Sequence, residues 1–160
     1  MILGVDPGLN GAIATYDGRE LFVIDMPVHM IVVSRKDRRA IDERATLERV
    51  QRASLFGAQI LVIEQVSGMP GQSGPAAFTF GYGVGVVTTA ALSCGMTVER
   101  VAPVTWKAAL GLKSADKSAA RRLAIETFPE HAEKFARVKD DGRAEAALIA
   151  KYGWLTRGAL

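Results

Sequence analysis

The hydrophobic positions of this chain form short runs of strand length before any helical spacing begins. Three such runs come first, and the Asp17-Gly18 pair between the second and third is a strong signal for a hairpin turn. A fourth run is fully apolar and ends in an acid, which is typical of a buried central strand. Together these patterns predict strands at 2–6, 11–16, 20–26, 60–64 and 97–101.

Helical spacing of apolar residues alternates with the later strands. A helix is predicted over 40–57, and the weakly charged segment that follows the Gly/Pro loop at 67–75 predicts a long buried helix ending near Cys94, before Gly95. Three more helices are predicted at 104–110, 115–127 (with Ser114 as its N-cap) and 142–152. The order favours one α/β domain over 1–160, in which an antiparallel three-strand meander and parallel strands share a mixed five-stranded sheet flanked by helices.

Composition narrows the function classes. The chain has 160 residues, of which 49% are hydrophobic and 23% charged, as expected of one globular domain with a full core. Its pI of about 9.2 favours a polyanionic partner. The single cysteine excludes an internal disulfide framework, and the N-terminus does not resemble a signal peptide. We therefore expect a cytoplasmic protein without a membrane span, although 76–94 is apolar enough to be checked.

Two acids stand at the carboxyl ends of apolar strands. Asp6 ends the first predicted strand and Glu64 ends the fourth. Ligand sites in open α/β sheets gather beyond the carboxyl ends of strands. If the two strands are neighbours, the carboxylates lie side by side, which is unfavourable unless a cation lies between them or one is protonated. The alternative is that each acid simply meets solvent at the end of its strand.

A second acidic pair begins the last predicted helix. Asp141 and Glu145 are four residues apart and so share a helix face. Small alanines follow at 144, 146 and 147, as needed where a helix lies close to a sheet. The helix is therefore expected to bring both acids to the strand ends, although acids at a helix N-terminus also serve as simple dipole complements.

Four carboxylates at one point would suit hard cations. Mg²⁺ prefers oxygen ligands, and four acids suggest two ions, the arrangement that clamps the attacking and leaving oxygens of a phosphodiester displacement. Mn²⁺ is expected to substitute. Zinc is disfavoured because the two histidines, His29 and His131, lie outside these motifs.

The same segments resemble the RuvC-type Holliday junction resolvases of the RNase H-like nuclease superfamily, and more closely a phage-like or divergent branch. The resemblance rests on five motifs in order, which are GVDPGLNGAIA, LVIEQV, FGYGVG, PVTWK followed by DK, and DDGRAEAALIA. It implies an RNase H-like fold, a homodimer with segment 75–94 in the contact, and metal-dependent cleavage of four-way DNA junctions in recombination, repair or phage DNA processing.

Position by position, Asp6, Glu64 and Glu145 resemble three of the family's catalytic, metal-binding acids. The family's closing pair is usually three residues apart, which falls on Gly142 here, so Asp141 is the expected substitute and Asp140 the weaker candidate. Ser67 stands where family members often carry an aromatic that wedges against a junction base.

Basic residues are the expected DNA contacts. Lys107 and Lys117 resemble family residues near the scissile phosphate. Arg38 and Arg39, in a predicted loop, and Arg143 are further candidates, the alternative being a solvated charged surface. A branch-migration motor is a possible partner, which the sequence by itself does not identify.

Three other functions remain open. One is an RNase H-like nuclease with another branched or hybrid substrate, and one is a non-catalytic junction-binding protein, which four intact acids disfavour. The third is an actin-like ATP-binding module, which needs two such lobes where 160 residues supply one.

Overall fold

A mixed five-stranded sheet forms the centre of the computed structural model, which describes residues 1–65, 73–112, 116 and 118–157. The strands of this sheet are β1 (Ile2–Asp6), β2 (Ala12–Tyr16), β3 (Leu21–Asp25), β6 (Ile60–Glu64) and β7 (Thr97–Val101). Their order is β3-β2-β1-β6-β7, with β1 antiparallel to β2 and parallel to β6. The predicted meander and parallel strands are thereby confirmed.

In the described part of the chain, five α-helices flank the sheet. They are α1 (Glu43–Leu55), α2 (Gly74–Ser93), α3 (Pro103–Ala109), α4 (Ala119–Thr127) and α5 (Asp141–Arg157). Alternating residues of β1 enter different cores, because strand side chains point to opposite faces. Leu3 and Val5 pack towards α1 and α2, whereas Ile2 packs with the alanines of α5.

Helix α5 lies unusually close to β1 because glycines remove the side chains between them. A Cβ on Gly4 would lie 2.3 Å from the backbone nitrogen of Ala150, and one on Gly142 would lie 2.1 Å from the carbonyl oxygen of Asn10. Ala146 and Ala147 are fully buried in this contact, as their small size predicts. The close contact brings the first turns of α5 beside the loop that follows β1.

Helix α2 is buried on one face only, so the prediction of a buried helix is only partly right. Val87, Ala90 and Ala91 pack into the core, while Phe78 and Tyr82 are exposed. In the described part of the chain it is the one helix long and apolar enough to cross a membrane, with 28% of its most apolar window buried. Such a helix leaves an apolar outer face available to a partner.

A second, two-stranded sheet stands where a loop and a helix start were predicted. Strands β4 (Val28–Val33) and β5 (Lys36–Ile41) form a hairpin, so Arg38 and Arg39 lie on a strand and the predicted loop is wrong. The sequence does not indicate the turn, because Ser34 and Arg35 adopt positive φ angles of 51° and 62° at positions where glycine or asparagine is usual.

The remaining differences concern helix ends. Helix α1 begins at Glu43 and not at Ala40, because the side chain of Asp42 caps it through the Ala45 N–H at 2.8 Å. Helix α4 begins at Ala119, and the predicted cap Ser114 lies outside the described residues. Two 3-10 segments, Pro129–Phe135 and Val138–Asp140, precede α5 and were not predicted.

Candidate active site

Asp6 and Glu64 end neighbouring parallel strands on the same face of the sheet. The pairing of Gly4 with Val62 and Val5 with Ile63 places Asp6 level with Glu64 when it is continued by one residue. Both side chains follow the alternation of Gly4 and Val62 and therefore point towards α5. The juxtaposition expected from the sequence, which required the two strands to be neighbours, is present.

A cleft of about 530 Å³ opens at these strand ends, and Asp6, Asn10, Lys107, Asp141 and Glu145 are among the residues that line it. Asp6 is half-buried there. Burial, together with the nearby carboxylates of Glu145 and Glu64, raises its pKa from 3.8 to about 7, against the opposing effect of the Gly8 N–H at 3.2 Å. The ionised form of Asp6 is therefore disfavoured in the cleft.

Glu64 is held by a buried tryptophan. The Nε1–H of Trp106, a fully buried residue of α3, donates a hydrogen bond of 2.9 Å to Oε1 of Glu64. Burial raises the pKa of Glu64, and the Trp106 bond acts in the opposite direction by stabilising the ionised carboxylate. The sequence indicated only that Trp106 packs against its own sheet, because a tryptophan-carboxylate contact 42 residues apart leaves no local signal.

Lys107 lies between the tryptophan and the last acid. Its Nζ donates to Oε1 of Glu145 at 2.9 Å and stands 5.0 Å from the centre of the Trp106 ring. The lysine predicted from the PVTWK motif is therefore placed among the carboxylates, as a phosphate contact would require. Lys117 and Ser67 lie outside the described residues.

The two candidates for the third acid differ in their surroundings. Asp140 is buried and accepts hydrogen bonds from the backbone N–H and the guanidinium of Arg137, both at 2.9 Å. Although burial opposes it, these bonds lower the pKa of Asp140. Asp141 instead lines the cleft with its side chain 47% exposed and receives the Nε–H of Arg121 at 2.7 Å. The geometry therefore favours Asp141 as a ligand and gives Asp140 a role in anchoring the start of α5.

The family's usual spacing is sterically blocked in this chain. The position three residues before Glu145 is Gly142, whose Cβ would meet the carbonyl oxygen of Asn10 at 2.1 Å. A side chain at 142 would require the loop after β1 to move. The acid of the first turn of α5 that lines the cleft is Asp141, one residue earlier.

Of the three arginines predicted to contact DNA, two lie on the hairpin and one is held in an ion pair. Arg39 donates to Oδ1 of Asn10 at 2.7 Å, at the rim of the cleft, and Arg38 is exposed on the hairpin. Arg143 is bound to Asp25 through two hydrogen bonds and lies 3.8 Å from Asp140. In this arrangement it joins the end of β3 to α5, and a DNA contact would require exchange of that ion pair.

Comparison with known proteins identifies the fold. No protein-family model matches the chain, and no curated protein sequence matches it. The Thermus thermophilus RuvC structure aligns over 97% of this chain and 95% of that chain, with a TM-score of 0.58 and 16% identity. The fold is RuvC-like. A structure of T. thermophilus RuvC in complex with a Holliday junction substrate aligns over 97% and 94% of the two chains, with a TM-score of 0.54 and 16% identity.

The donor atoms of this cleft are of the kind that a hard cation prefers. Among the described residues no three His, Cys, Asp or Glu side chains are placed so that they hold a metal ion as they stand. Glu64 is turned to Trp106 and Glu145 to Lys107. All candidate ligands are nevertheless carboxylate oxygens, which Mg²⁺ prefers. Burial and, after it, the carboxylates of Glu145 and Glu64 raise the pKa of Asp6, and a bound divalent cation would oppose this effect.

Proposed function

We propose that this protein is a metal-dependent endonuclease that cuts branched DNA, with the four-way junction as its main substrate. The observation that carries the proposal is the cluster of Asp6, Glu64 and Glu145 at the end of a RuvC-like sheet, where burial and mutual repulsion raise the pKa of Asp6 to about 7. Carboxylates crowded in this way destabilise the fold unless positive charge enters the cleft. Crowded carboxylates with perturbed pKa values are typical of functional sites, and cation binding is the function that they fit here.

Asp6, Glu64, Glu145 and Asp141 are the residues that would hold the metal, two Mg²⁺ ions being the expected complement, with Mn²⁺ as a substitute. When bound, the cations would stabilise negative charge on the phosphate and on the leaving oxygen of an in-line hydrolysis. Trp106 orients Glu64 and Arg121 restrains Asp141. Lys107 holds Glu145, so three of the four acids are positioned by neighbouring side chains.

Lys107 is the proposed contact to the scissile phosphate. Its ammonium group forms an ion pair with Glu145. If the acids were neutralised by a bound cation, this ion pair would open and the ammonium group would be available to the substrate phosphate. Arg38 and Arg39 would bind backbone phosphates beyond the rim of the cleft. Lys117 stays a predicted contact from the resemblance alone.

The outer face of α2 supports the proposed homodimer. Phe78 and Tyr82 stack there with ring centres 6.2 Å apart. No atom of the residues that the structure describes lies within 4 Å of a Cβ built on Gly81 or Gly85. A second copy could therefore approach the helix backbone closely. Two copies would provide one cleft for each of two opposed strands of a junction.

The proposal is tested with a labelled synthetic four-way junction, incubated with and without Mg²⁺. The wild-type protein, its mass measured in solution as that of a dimer, should cut the junction only with the metal. Asp6→Asn and Glu64→Gln should bind it with little change and lose cleavage by at least about a thousandfold, as expected when a transition-state charge loses its stabilisation. Asp17→Asn changes a half-buried acid in the β2–β3 turn, outside the cleft; it is the matched control and should retain activity.

A panel of duplex, flap and RNA–DNA hybrid substrates separates the alternatives. Preferred cutting of the hybrid or flap would assign another RNase H-like activity. Tight junction binding without cutting in either metal would indicate a binding protein. Cleavage that survives both substitutions would show that the acids are not the active site.

A further inference from the structure

The β4–β5 hairpin exposes apolar side chains that ordinary folding would bury. Met30, Ile31, Val32 and Val33 are 61%, 36%, 74% and 48% exposed, and they occupy both faces of the same strand. A two-stranded hairpin open to water on both faces is marginally stable by itself. A contiguous exposed apolar patch on a soluble protein normally marks a surface that contacts a partner.

The second strand places a cation beside most of these apolar residues. Antiparallel pairing sets Met30 opposite Arg39, Ile31 opposite Arg38 and Val33 opposite Lys36, and directly opposed residues share a face. Arg35 adds a fourth cation in the turn, against the single acid Asp37. The partner must therefore offer negative charge and flat apolar surface close together, and the phosphates and bases of a nucleic acid have this combination.

The base of the hairpin is attached to the loop that also forms the cleft. The backbone N–H of Met26 donates to the carbonyl of Gly11, and that of Asp42 donates to the carbonyl of Pro27, both at 2.9 Å. Ile41 is buried at the same end. Arg39 completes the link through Asn10, which lines the cleft with Asp6. Arg39, Met30 and Val32 share one face of the hairpin with Asp37, and Arg39 joins this face to the rim of the cleft.

We propose that the β4–β5 hairpin is a DNA-contacting arm that distinguishes branched from linear DNA. Arg39, on the face of Met30 and Val32, binds the phosphates of the strand that enters the cleft, and Arg38 and Lys36 bind phosphates from the opposite face. Met30 and Val32 contact base faces that are exposed where strands exchange. In an intact duplex the base faces are stacked and only phosphates and base edges are offered, so these apolar contacts are made with branched DNA alone. This inference rests on the proposed function, since it assigns the substrate strand to the same cleft.

The test compares two faces of one hairpin. Met30→Ser with Val32→Ser removes the apolar surface on the cleft side, and Ile31→Ser with Val33→Ser is the matched control on the other side. Binding to a four-way junction and to a linear duplex of the same sequence is measured by fluorescence anisotropy in EDTA. The first pair should weaken junction binding about tenfold, from the apolar area lost, and change duplex binding less than about twofold. The control pair should leave both affinities within about twofold.

A third variant separates the cations from the apolar residues. Arg38→Gln with Arg39→Gln should weaken both substrates and reduce the slope of log affinity against log salt by about two, one for each lost phosphate contact. All substituted side chains are exposed or at the rim, and unchanged thermal unfolding would verify that the fold is intact.

Two outcomes would overturn the inference. The first is a junction affinity of the Met30→Ser, Val32→Ser variant that equals the affinity of the wild type. The second is a change of this variant from dimer to monomer, which would show that the hairpin contacts a second copy of the chain. Failure of the proposed function is distinguishable, because the wild-type protein would then not cut the junction with Mg²⁺, whatever the hairpin variants do.

Discussion

Replacing Asp6 by asparagine should stabilise the metal-free protein at neutral and alkaline pH. The pKa of Asp6 is raised from 3.8 to about 7 in the folded chain, first by burial and then by Glu145. Between these two values the folded protein retains a proton that the unfolded chain has released. Its free energy of unfolding therefore falls as the pH rises from about 4 to about 7 and stays low above that.

The size of the effect follows from the two pKa values. One pKa unit corresponds to about 1.4 kcal/mol, so ionised Asp6 destabilises the folded protein by up to about 4 kcal/mol at pH 8. Asparagine carries no charge and keeps an oxygen for the Gly8 N–H. We expect a gain of about 2–4 kcal/mol, or about 5–10 °C in Tm for a chain of this size. At pH 5 the gain should fall to about a third of its value.

The assay is thermal and urea unfolding in EDTA at pH 5 and pH 8, repeated with Mg²⁺. The metal should stabilise the wild type much more than Asp6→Asn. Asp17→Asn is a control of opposite sign, because hydrogen bonds from the backbone N–H groups of Arg19 and Glu20 lower the pKa of Asp17. Loss of the negative charge that these bonds stabilise should destabilise the protein at pH 8. A lower Tm for Asp6→Asn in EDTA at pH 8, or a difference that does not vary with pH, would refute the reasoning.

Two further predictions concern the surroundings of the acids. Trp106→Phe should lower junction cleavage about 10- to 100-fold and move its pH dependence to higher pH, since ionised Glu64 loses its donor. Trp154→Phe, whose indole lies beside Tyr16, is the control, and an equal loss in both variants would contradict the role of the hydrogen bond. Gly142→Ala should lower the free energy of unfolding by about 3 kcal/mol, because the added methyl group overpacks against Asn10. Gly74→Ala is the control and should leave Tm nearly unchanged, because no described atom lies within 4 Å of the added Cβ. Equal Tm values for the two glycine variants would contradict the close contact.

The central sheet and the first pair of acids were predictable because their causes are local. Apolar runs of strand length and the Asp17-Gly18 turn determine the meander. An acid that follows a buried strand lies at the carboxyl end of that strand, where the sheet meets solvent. The alanines of α5 likewise indicated a helix close to the sheet. Once β1 and β6 are neighbours, Asp6 and Glu64 meet without further information.

The roles of individual polar side chains were decided by tertiary contacts. Asp140 and Asp141 are adjacent and chemically identical, and only the position of Arg137 buries one while the cleft exposes the other. The bond from Trp106 to Glu64 joins residues that are distant along the chain. The pairing of Arg143 with Asp25, 118 residues away, likewise occupies a side chain that the sequence marked for DNA.

The same distinction applies to the backbone of residues 28–41. Their sequence has the β-branched residues of a strand, but its turn lacks glycine, and strand pairing depends on a partner segment and on anchoring of both ends. Periodicity along this chain therefore determines which segments become strands and helices and which acids end them. The distances between side chains, and hence which carboxylate faces the cleft and which is neutralised by an arginine, depend on three-dimensional packing, because a local pattern carries no information about the partner across the fold.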